Sequence, residues 1–420
     1  MNWSFKDRIE ENKNTFNEFP REFWVLMFGT FIDRLGGFMV FPFFSLYITD
    51  HFGVGMTQVG YMFLIFTTGG MFSSILGGAM TDKFGRKTMV LYGLFISGVS
   101  SLAIIFVDDL AVFFVIGALI GILGNLGGPA QQAMITDLLP EEKRTEGFGI
   151  FRVVFNVSAA IGPMLGGLMA SRSYALLFLA DAITSAITAV IVYKMLPETK
   201  PETPEGQAEE SLAQSVGGYG KVFADRVYMI FLLISVLMTS VYMQMNITLP
   251  VYMRDAHGFE PRHYGYILSM NAAMVVLMQF WITRKIAKRP PLVIMAIGMA
   301  YYTVGFAMYG FIQGFVFFAA AMVVITIGEM VIAPVGQALV AKFAPEDMRG
   351  RYMAIFGFSW AFPNMFVPLL VGEIMDNYNP NWVWYACGIV GTVATLGYYW
   401  LHLQKNDIML GEVTAEGVPA

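Results

Sequence analysis

Long apolar stretches joined by short polar segments make up most of the chain. A helix needs about 20 mostly apolar residues to cross the hydrocarbon core of a bilayer. Twelve stretches have that length, and they cover 22–48, 57–80, 87–107, 109–135, 147–171, 173–195, 223–254, 263–286, 291–313, 314–340, 350–376 and 381–403. The pattern predicts an all-α membrane protein with twelve transmembrane helices.

One polar segment is much longer than the others. Residues 196–222 are acidic and rich in proline and glycine, a composition typical of a solvated linker. The predicted organisation is an N-terminal tail (1–21), a six-helix bundle (22–195), the linker (196–222), a second six-helix bundle (223–403) and a C-terminal tail (404–420). The N-terminal tail has both signs of charge and no apolar core, so we do not interpret it as a signal peptide.

The positive charges predict the orientation. Most of the 26 Lys and Arg residues fall in the tails, the linker and alternate loops. The other set of loops holds Arg172, Arg254 and Arg262. Because cytoplasmic loops are enriched in Lys and Arg, both termini are expected to be cytoplasmic, in a multi-pass protein of the inner or plasma membrane.

The composition argues against several classes of function. Charged residues make up 14% of the chain, whereas about 25% is usual in soluble domains. A net charge of −5 offers no basic face for nucleic acid. Cys387 is the single cysteine, and we expect neither a metal site nor a cofactor. Since no nucleotide-binding loop or nucleophile arrangement is found, we expect no enzyme activity.

The two predicted bundles repeat each other at an offset of 205 residues. Seven identities occur in matching spans and loops: Pro129, Gln132, Pro140, Glu141, Arg144, Pro163 and Gly167 recur as Pro334, Gln337, Pro345, Glu346, Arg349, Pro368 and Gly372. Six helices per half make the repeats parallel. Transporters built in this way bind substrate near the midplane, between the halves.

The loop after the second stretch carries the strongest motif. Residues 78–87 read Gly-Ala-Met-Thr-Asp-Lys-Phe-Gly-Arg-Lys, which resembles the signature loop of the major facilitator superfamily, G-x-x-x-D-(R/K)-x-G-R-(R/K). The resemblance implies the major facilitator fold and a conformational latch formed by Gly78, Asp82, Gly85, Arg86 and Asp137. Asp82 is expected to accept hydrogen bonds at the start of span eleven. Arg86 is expected to reach Asp137 at the end of span four.

The fifth stretch resembles the antiporter motif of the drug:proton antiporters, with serine in place of its second glycine. The matching positions are Gly149, Ser158, Gly162, Pro163, Gly166 and Gly167. The alternative is a stripe of small residues for helix packing, without any bearing on transport direction. The family's R-x-x-Q-G element of span four is missing, because residues 117–121 read Gly-Ala-Leu-Ile-Gly. Proton coupling therefore has to use other residues.

Two acids lie deep in predicted spans. Asp33 and Glu329 are each about eleven residues, or roughly 16 Å, from the cytoplasmic end of their span. A charge at that depth costs at least about 2.5–3.5 kcal/mol, so it needs a partner or a function. We expect Glu329 to carry a transported proton, with Asp33 as the second candidate. A static ion pair or hydrogen bond between helices is the alternative.

Polar and aromatic residues of the predicted cavity-lining spans are candidates for substrate contact. They are Arg34, Phe38, Asn125, Arg152, Asn156, Tyr242, Gln244, Asn246, Gln337 and Trp360. Arg152 and Asn156 share one face of span five, while Gln244 and Asn246 belong to a Q-x4-L-P element seen in some multidrug-type members. Packing and lipid contact explain most aromatic residues equally well.

The resemblance implies proton-coupled export of a lipophilic or amphipathic compound by alternating access. The alternatives are a proton-coupled symporter for a sugar, peptide or organic acid, and a lipid flippase or sensor on the same fold. The expected partners are the bilayer, a small-molecule substrate and protons, with no nucleic acid, and the functional form is expected to be a monomer.

Overall fold

The regular structure is helical throughout the residues that the computed structural model describes, which are 18–200, 220–286, 288–345 and 348–416. A 3₁₀ turn at Phe41–Phe43 joins the first two helices. The helices are α1 Arg21–Val40, α2 Phe44–His51, α3 Met56–Phe84, α4 Arg86–Ile105, α5 Leu110–Gly124, α6 Gly128–Leu138, α7 Glu141–Ala170, α8 Tyr174–Met195, α9 Arg226–Tyr242, α10 Gln244–Ile247, α11 Leu249–His257, α12 Pro261–Ile286, α13 Pro291–Met308, α14 Phe315–Phe343, α15 Arg349–Asn377 and α16 Asn381–Glu416.

Ten helical segments of the described chain are long and apolar enough to cross a membrane. They occupy ten of the twelve predicted positions. Helix α3, with 29 residues, and helix α16, with 36, lie at the predicted second and twelfth positions. The all-α prediction is confirmed, and the ends agree closely where loops are short, as for α8 against the predicted 173–195.

Three predicted spans are interrupted, although we expected each to be one continuous helix. The first passes through the Phe41–Phe43 turn, and the predicted 109–135 span breaks between α5 and α6. The predicted 223–254 span breaks at Met243 and Thr248. Pro129 and Pro250 each stand near the start of the helix that follows a break, because proline there loses no helical hydrogen bond.

The chain divides into two compact units, one comprising residues 1–43 and 65–204 and the other residues 44–64 and 205–420. In the first unit, α1 packs against α7 and α8, and α8 packs against α4. In the second unit, α13 packs against α14 and α16, and α12 packs against α14. Each unit therefore has its own set of packed helices, and each contains one of the two deep acids.

An acid at the end of α15 caps the start of α3 within the second unit. Asp376 accepts hydrogen bonds from the backbone N–H of Met56 at 2.7 Å and of Thr57 at 2.8 Å. The first N–H groups of a helix have no partner within the helix. The carboxylate supplies that partner from more than 300 positions further along the chain.

Candidate functional site

Glu329 lies in the middle of α14, and two neutral side chains bind its carboxylate. The Tyr242 hydroxyl donates to Oε1 at 3.0 Å and the Asn271 amide donates to Oε2 at 2.8 Å. The same Asn271 nitrogen lies 3.0 Å from Thr326 Oγ1, to which it also donates. No cation pairs with Glu329 among the described residues. In its ionised form the carboxylate is therefore held by dipoles alone.

Aromatic rings surround the hydroxyl that contacts this acid. Tyr242 stacks on Tyr302 with ring centroids 5.6 Å apart and meets the edge of Trp360 at 5.8 Å. Trp360 is 43% exposed. Tyr302 is buried and Tyr242 is partly buried. An acid close to an exposed tryptophan suits a ligand with both positive charge and apolar surface, since ring faces attract cations.

The other expected cavity residues of the second unit lie in different surroundings. Gln244 is buried, donates to Ser240 O at 2.8 Å and accepts from Thr248 Oγ1 at 2.5 Å. Both ends of its amide are thus engaged within its own span. Asn246 is partly buried and Gln337 is exposed.

A cavity of about 170 Å³ lies inside the first unit, between α1, α4, α5, α6 and α8. Asp33, Arg34, Asn125 and Gln131 are among its lining residues. Arg34 donates to Gln131 Oε1 at 3.2 Å, and its buried Nε has no hydrogen-bond partner among the described residues. Asn125 donates to Ser74 Oγ at 2.7 Å. The cavity is polar and large enough for a few water molecules.

A second acid, Asp181, is buried close to this cavity. Its Oδ2 accepts hydrogen bonds from Ser101 at 2.6 Å and from Ser97 at 3.4 Å. Gly36 allows α1 to approach α8 here, because a Cβ at Gly36 would overlap Thr184 Oγ1 and Asp181 Oδ1. Serine hydroxyls thus stabilise a carboxylate that lies near Asp33.

The antiporter-motif residues of α7 pack on α1. Ser158 donates to Phe31 O at 3.2 Å, and Gly162 and Gly166 lie against Phe38 and Met39. Pro163 is inside the helix, Gly167 O accepts from Ser171 N, and Gly149 has open space around it. This arrangement is the close packing that the small-residue stripe predicts, and it leaves the motif's transport role as a prediction.

Three further residues expected in the cavity lie on α1 and α7 and differ in exposure. Phe38 meets the ring of Phe155 edge-on at 4.9 Å. Arg152 is exposed and Asn156 is partly buried. Phe38 therefore serves helix packing in this structure, whereas Arg152 is accessible.

The signature loop connects α3 to α4 and is held by two acids. Arg86 Nε lies 3.0 Å from Asp137 Oδ2, which is the pair expected from the sequence. Gly85 has a φ of +96°, a conformation that favours glycine. The side-chain environments of Gly78 and Asp82 are outside the described part of the structure, so the contact expected of Asp82 stays a prediction.

Glu198 caps α4, although the sequence placed it in the solvated linker. It accepts hydrogen bonds from the backbone N–H groups of Arg86 at 2.7 Å and Lys87 at 3.3 Å, and from those of Thr199 and Lys200. Partial desolvation works to raise the pKa of Glu198, but these four backbone donors outweigh it and lower the pKa below its usual value.

Several of these residues escaped the sequence analysis. Asn271, Gln131 and Thr326 are neutral polar residues within spans, and none of them was among the residues expected to contact substrate. Asn271 lies on α12 and Gln131 on α6, and each contacts a predicted site residue. In the sequence their amide side chains do not differ from those of expected residues such as Asn125 and Asn246, so no sequence signal distinguishes them.

A family model described as Major Facilitator Superfamily matches residues 26–334 and 313–408. A "Na(+), Li(+), K(+)/H(+) antiporter" of Planococcus maritimus is 27% identical to this chain, covering 93% of it and 98% of that protein. "Multidrug resistance protein MdtH" of Shigella flexneri is 24% identical, covering 91% of this chain and 94% of that protein. Both relatives match over nearly their whole length.

Solved structures of other transporters share the fold. The nucleoside transporter NupG aligns with a TM-score of 0.78 at 15% identity, covering 91% of this chain and 100% of that one. A peptide transporter, POT, in complex with sulfate aligns with a TM-score of 0.75 at 17% identity, covering 93% and 95%. At these identities the likeness shows the fold alone.

Proposed function

Since the chain belongs to the Major Facilitator Superfamily, we propose that it is a proton-coupled antiporter that exports a lipophilic or amphipathic compound by alternating access. The observation that carries the proposal is the Glu329 carboxylate, which lies within a membrane-spanning helix and is bound by Tyr242 and Asn271. Glu329 carries the exchanged proton.

The surroundings of Glu329 give the physical reason. An ionised acid within a span is costly unless something compensates the charge. The two neutral hydrogen-bond donors stabilise the negative charge of Glu329 in part. Either a proton or a cationic substrate can neutralise that charge. Proton and substrate therefore compete for one carboxylate, which is the simplest basis for antiport.

The aromatic rings beside Glu329 indicate the substrate class. Tyr242 binds the carboxylate, and the partly exposed Trp360 meets the ring of Tyr242 edge-on. Apolar ligand surface packs on such rings, and a positive group gains from both ring faces and the acid. A compound with a positive group and an apolar body satisfies both parts of the site.

A monovalent inorganic cation is the second candidate substrate. The cavity of the first unit is polar, and Asp33 lines it without a hydrogen bond or ion pair to a described residue. A relative matched over 93% of the chain is named as an antiporter of Na⁺, Li⁺ and K⁺ against protons. Carboxylate and hydroxyl oxygens are suitable ligands for such hard ions.

The orientation and assembly belong to the same proposal. Both termini are cytoplasmic, in the plasma or inner membrane, because Lys and Arg are concentrated in the tails, the linker and alternate loops. The proposed functional form is a monomer, because one chain contains both six-helix repeats. A cysteine placed in the 196–222 linker should be labelled from the cytoplasmic side alone.

The test uses the full chain in proteoliposomes with an imposed pH gradient. Glu329→Gln keeps the shape of the side chain and removes its titration, so concentrative transport should be lost while downhill exchange partly survives. Asp33→Asn is the matched variant in the first unit, and it should retain uphill transport. Uphill transport by Glu329→Gln, or an exchange of these two phenotypes, would assign the proton elsewhere.

The same vesicles identify the substrate class. Collapse of the pH gradient by a lipophilic cation supports drug-type antiport, and collapse by Na⁺, Li⁺ or K⁺ supports the second candidate. Solute uptake together with protons would instead indicate symport, and would overturn both.

A further inference from the structure

Four exposed cations lie at the end of α12 or directly after it. Arg284, Lys285, Lys288 and Arg289 are all exposed, and residues 284–289 include no acid. None of the four side chains forms an ion pair or a hydrogen bond with a described residue. Arg284 lies 4.9 Å from the ring centroid of Phe280, which is a cation–π contact. We call residues 284–289 the basic segment.

The corresponding loop of the first half differs in this respect. The 205-residue repeat aligns Lys83 in that loop with Lys288. There Arg86 pairs with Asp137, and Lys87 Nζ donates to Tyr193 O at 2.8 Å. In the first-half loop Arg86 is thus paired with an acid and Lys87 with a carbonyl oxygen, whereas none of the four cations of the basic segment has an acid or a hydrogen-bond acceptor among the described residues.

The aromatic residues just before the basic segment fix its depth. Phe280 is 61% exposed and Trp281 is 70% exposed, on the last two turns of α12. Exposed Trp at the end of a membrane-spanning helix sits at the level of the lipid headgroups. Arg284 follows Trp281 by about one helical turn, or roughly 5 Å. The cations therefore reach the phosphate layer of the leaflet.

We propose that the basic segment binds the headgroups of anionic phospholipids, with Phe280 and Trp281 anchored beside them. Clustered Lys and Arg directly after a membrane-spanning helix are attracted to anionic lipid surfaces. Arg284 and Arg289 add the fork geometry that binds phosphate oxygens in pairs. The proposal requires only that the chain spans a membrane, and it is independent of the transported substrate.

The test measures lipid binding by the purified full chain in detergent, using native mass spectrometry. The probes are phosphatidylglycerol and phosphatidylcholine at equal concentration. The test variant is Arg284→Gln/Lys285→Gln/Lys288→Gln/Arg289→Gln. The control, Arg172→Gln/Lys194→Gln/Lys221→Gln/Arg226→Gln, removes the same charge from exposed but scattered sites.

We expect the parent and the scattered control to prefer phosphatidylglycerol, and the test variant to lose that preference roughly tenfold. Arg284→Lys/Arg289→Lys should retain most of it, since the charge is kept. An equal preference in the test variant, or an equal loss in the scattered control, overturns the proposal. So does displacement of the lipid by millimolar inorganic phosphate, which would indicate a site for free anions.

Discussion

In the first unit, Asp181 accepts hydrogen bonds from two serines and lies near Asp33, whereas in the second unit Glu329 receives its hydrogen bonds from a tyrosine and an asparagine. The first unit thus has an acid and a guanidinium lining one polar cavity, with a second acid buried close by. The second isolates one acid among neutral groups. Protonation of an isolated acid changes the local charge from −1 to 0, because no neighbouring cation offsets the carboxylate.

The loops show the same contrast. In the first unit, Arg86 and the start of α4 are held by Asp137 and Glu198. In the second unit the basic segment 284–289 has no acid to hold it in the described structure. The first unit thus holds Arg86 and Asp181 with its own side chains. We infer that the second unit leaves charges for ligands, a proton at Glu329 and lipid phosphate at the basic segment.

The largest effect is expected where the first unit packs most tightly around its acid. Gly36→Val places side-chain atoms where Thr184 Oγ1 and Asp181 Oδ1 already lie. Overpacking of this kind costs about 1–3 kcal/mol of unfolding free energy, and more where backbone also has to move. Thermal unfolding of the purified variant in detergent should show a large loss of stability.

Gly37→Val is the matched control for this prediction. A Cβ at Gly37 meets no atom within 4 Å, so the neighbouring substitution should be nearly neutral. Similar losses in both variants would mean that helix propensity, and not the approach of α1 to Asp181, sets the effect.

Asn271→Leu tests the hydrogen bonds from neutral side chains to Glu329 in the second unit. The change removes the donor to Glu329 Oε2 and leaves Tyr242 as the remaining one. A hydrogen bond to a charged group contributes about 1.5–3 kcal/mol, so transport should fall roughly tenfold and thermal stability should fall as well. Initial rates in proteoliposomes measure the first effect, and thermal unfolding measures the second.

Gln279→Leu is the control on the same helix. Gln279 donates to Thr283 Oγ1 and to Met330 O, and does not contact Glu329. Transport by this variant should stay close to that of the parent. A loss as large as that of Asn271→Leu would show that any amide removed from α12 impairs transport.

Asp376→Ala removes the carboxylate that caps α3 in the second unit. Loss of a capping side chain costs about 1 kcal/mol, and Asp376 binds both Met56 N and Thr57 N. Amide hydrogen exchange in the first turn of α3 should therefore speed up about fivefold. Asn377→Ala, which removes a bond to Glu373 O within its own helix, should leave that turn unchanged.

The positions of the helices were predictable because the thickness of a membrane fixes the length of an apolar run. Helix α8 begins and ends within one residue of its predicted bounds. The breaks at Phe41–Phe43 and Thr248 were not predicted. These breaks leave the surrounding sequence apolar, so hydropathy cannot detect them. Proline alone does not mark a break either, because Pro163 lies inside the continuous helix α7.

The acids of the candidate site were predictable, and most of their partners were not. Glu329 and Asp33 stand out because charge is rare in a span. Asn271 is one of many polar residues in the spans, and what makes it important is its 2.8 Å contact with an acid 58 positions away. Glu198 lies in an acidic, proline-rich sequence and does not differ there from the other acids of the predicted linker. Only the fold brings it to the start of α4.

The smallest effect is expected at Glu198, which accepts backbone hydrogen bonds from the signature loop at the start of α4. This effect should depend on pH. Backbone donors hold the pKa of Glu198 below its usual value despite partial desolvation, so the folded protein gains stability from the ionised form. That gain is complete above the unfolded pKa of about 4.3 and disappears as the pH falls through the folded value. Glu198→Gln should therefore unfold at a slightly lower temperature than the parent at pH 7, and the difference should vanish in acid.

Glu141→Gln, which changes an exposed acid in the first turn of α7, is the control and should show a smaller difference from the parent at pH 7. A gap between parent and Glu198→Gln that stays constant from pH 7 to pH 3 would mean that the side chain acts by its shape and not by its charge.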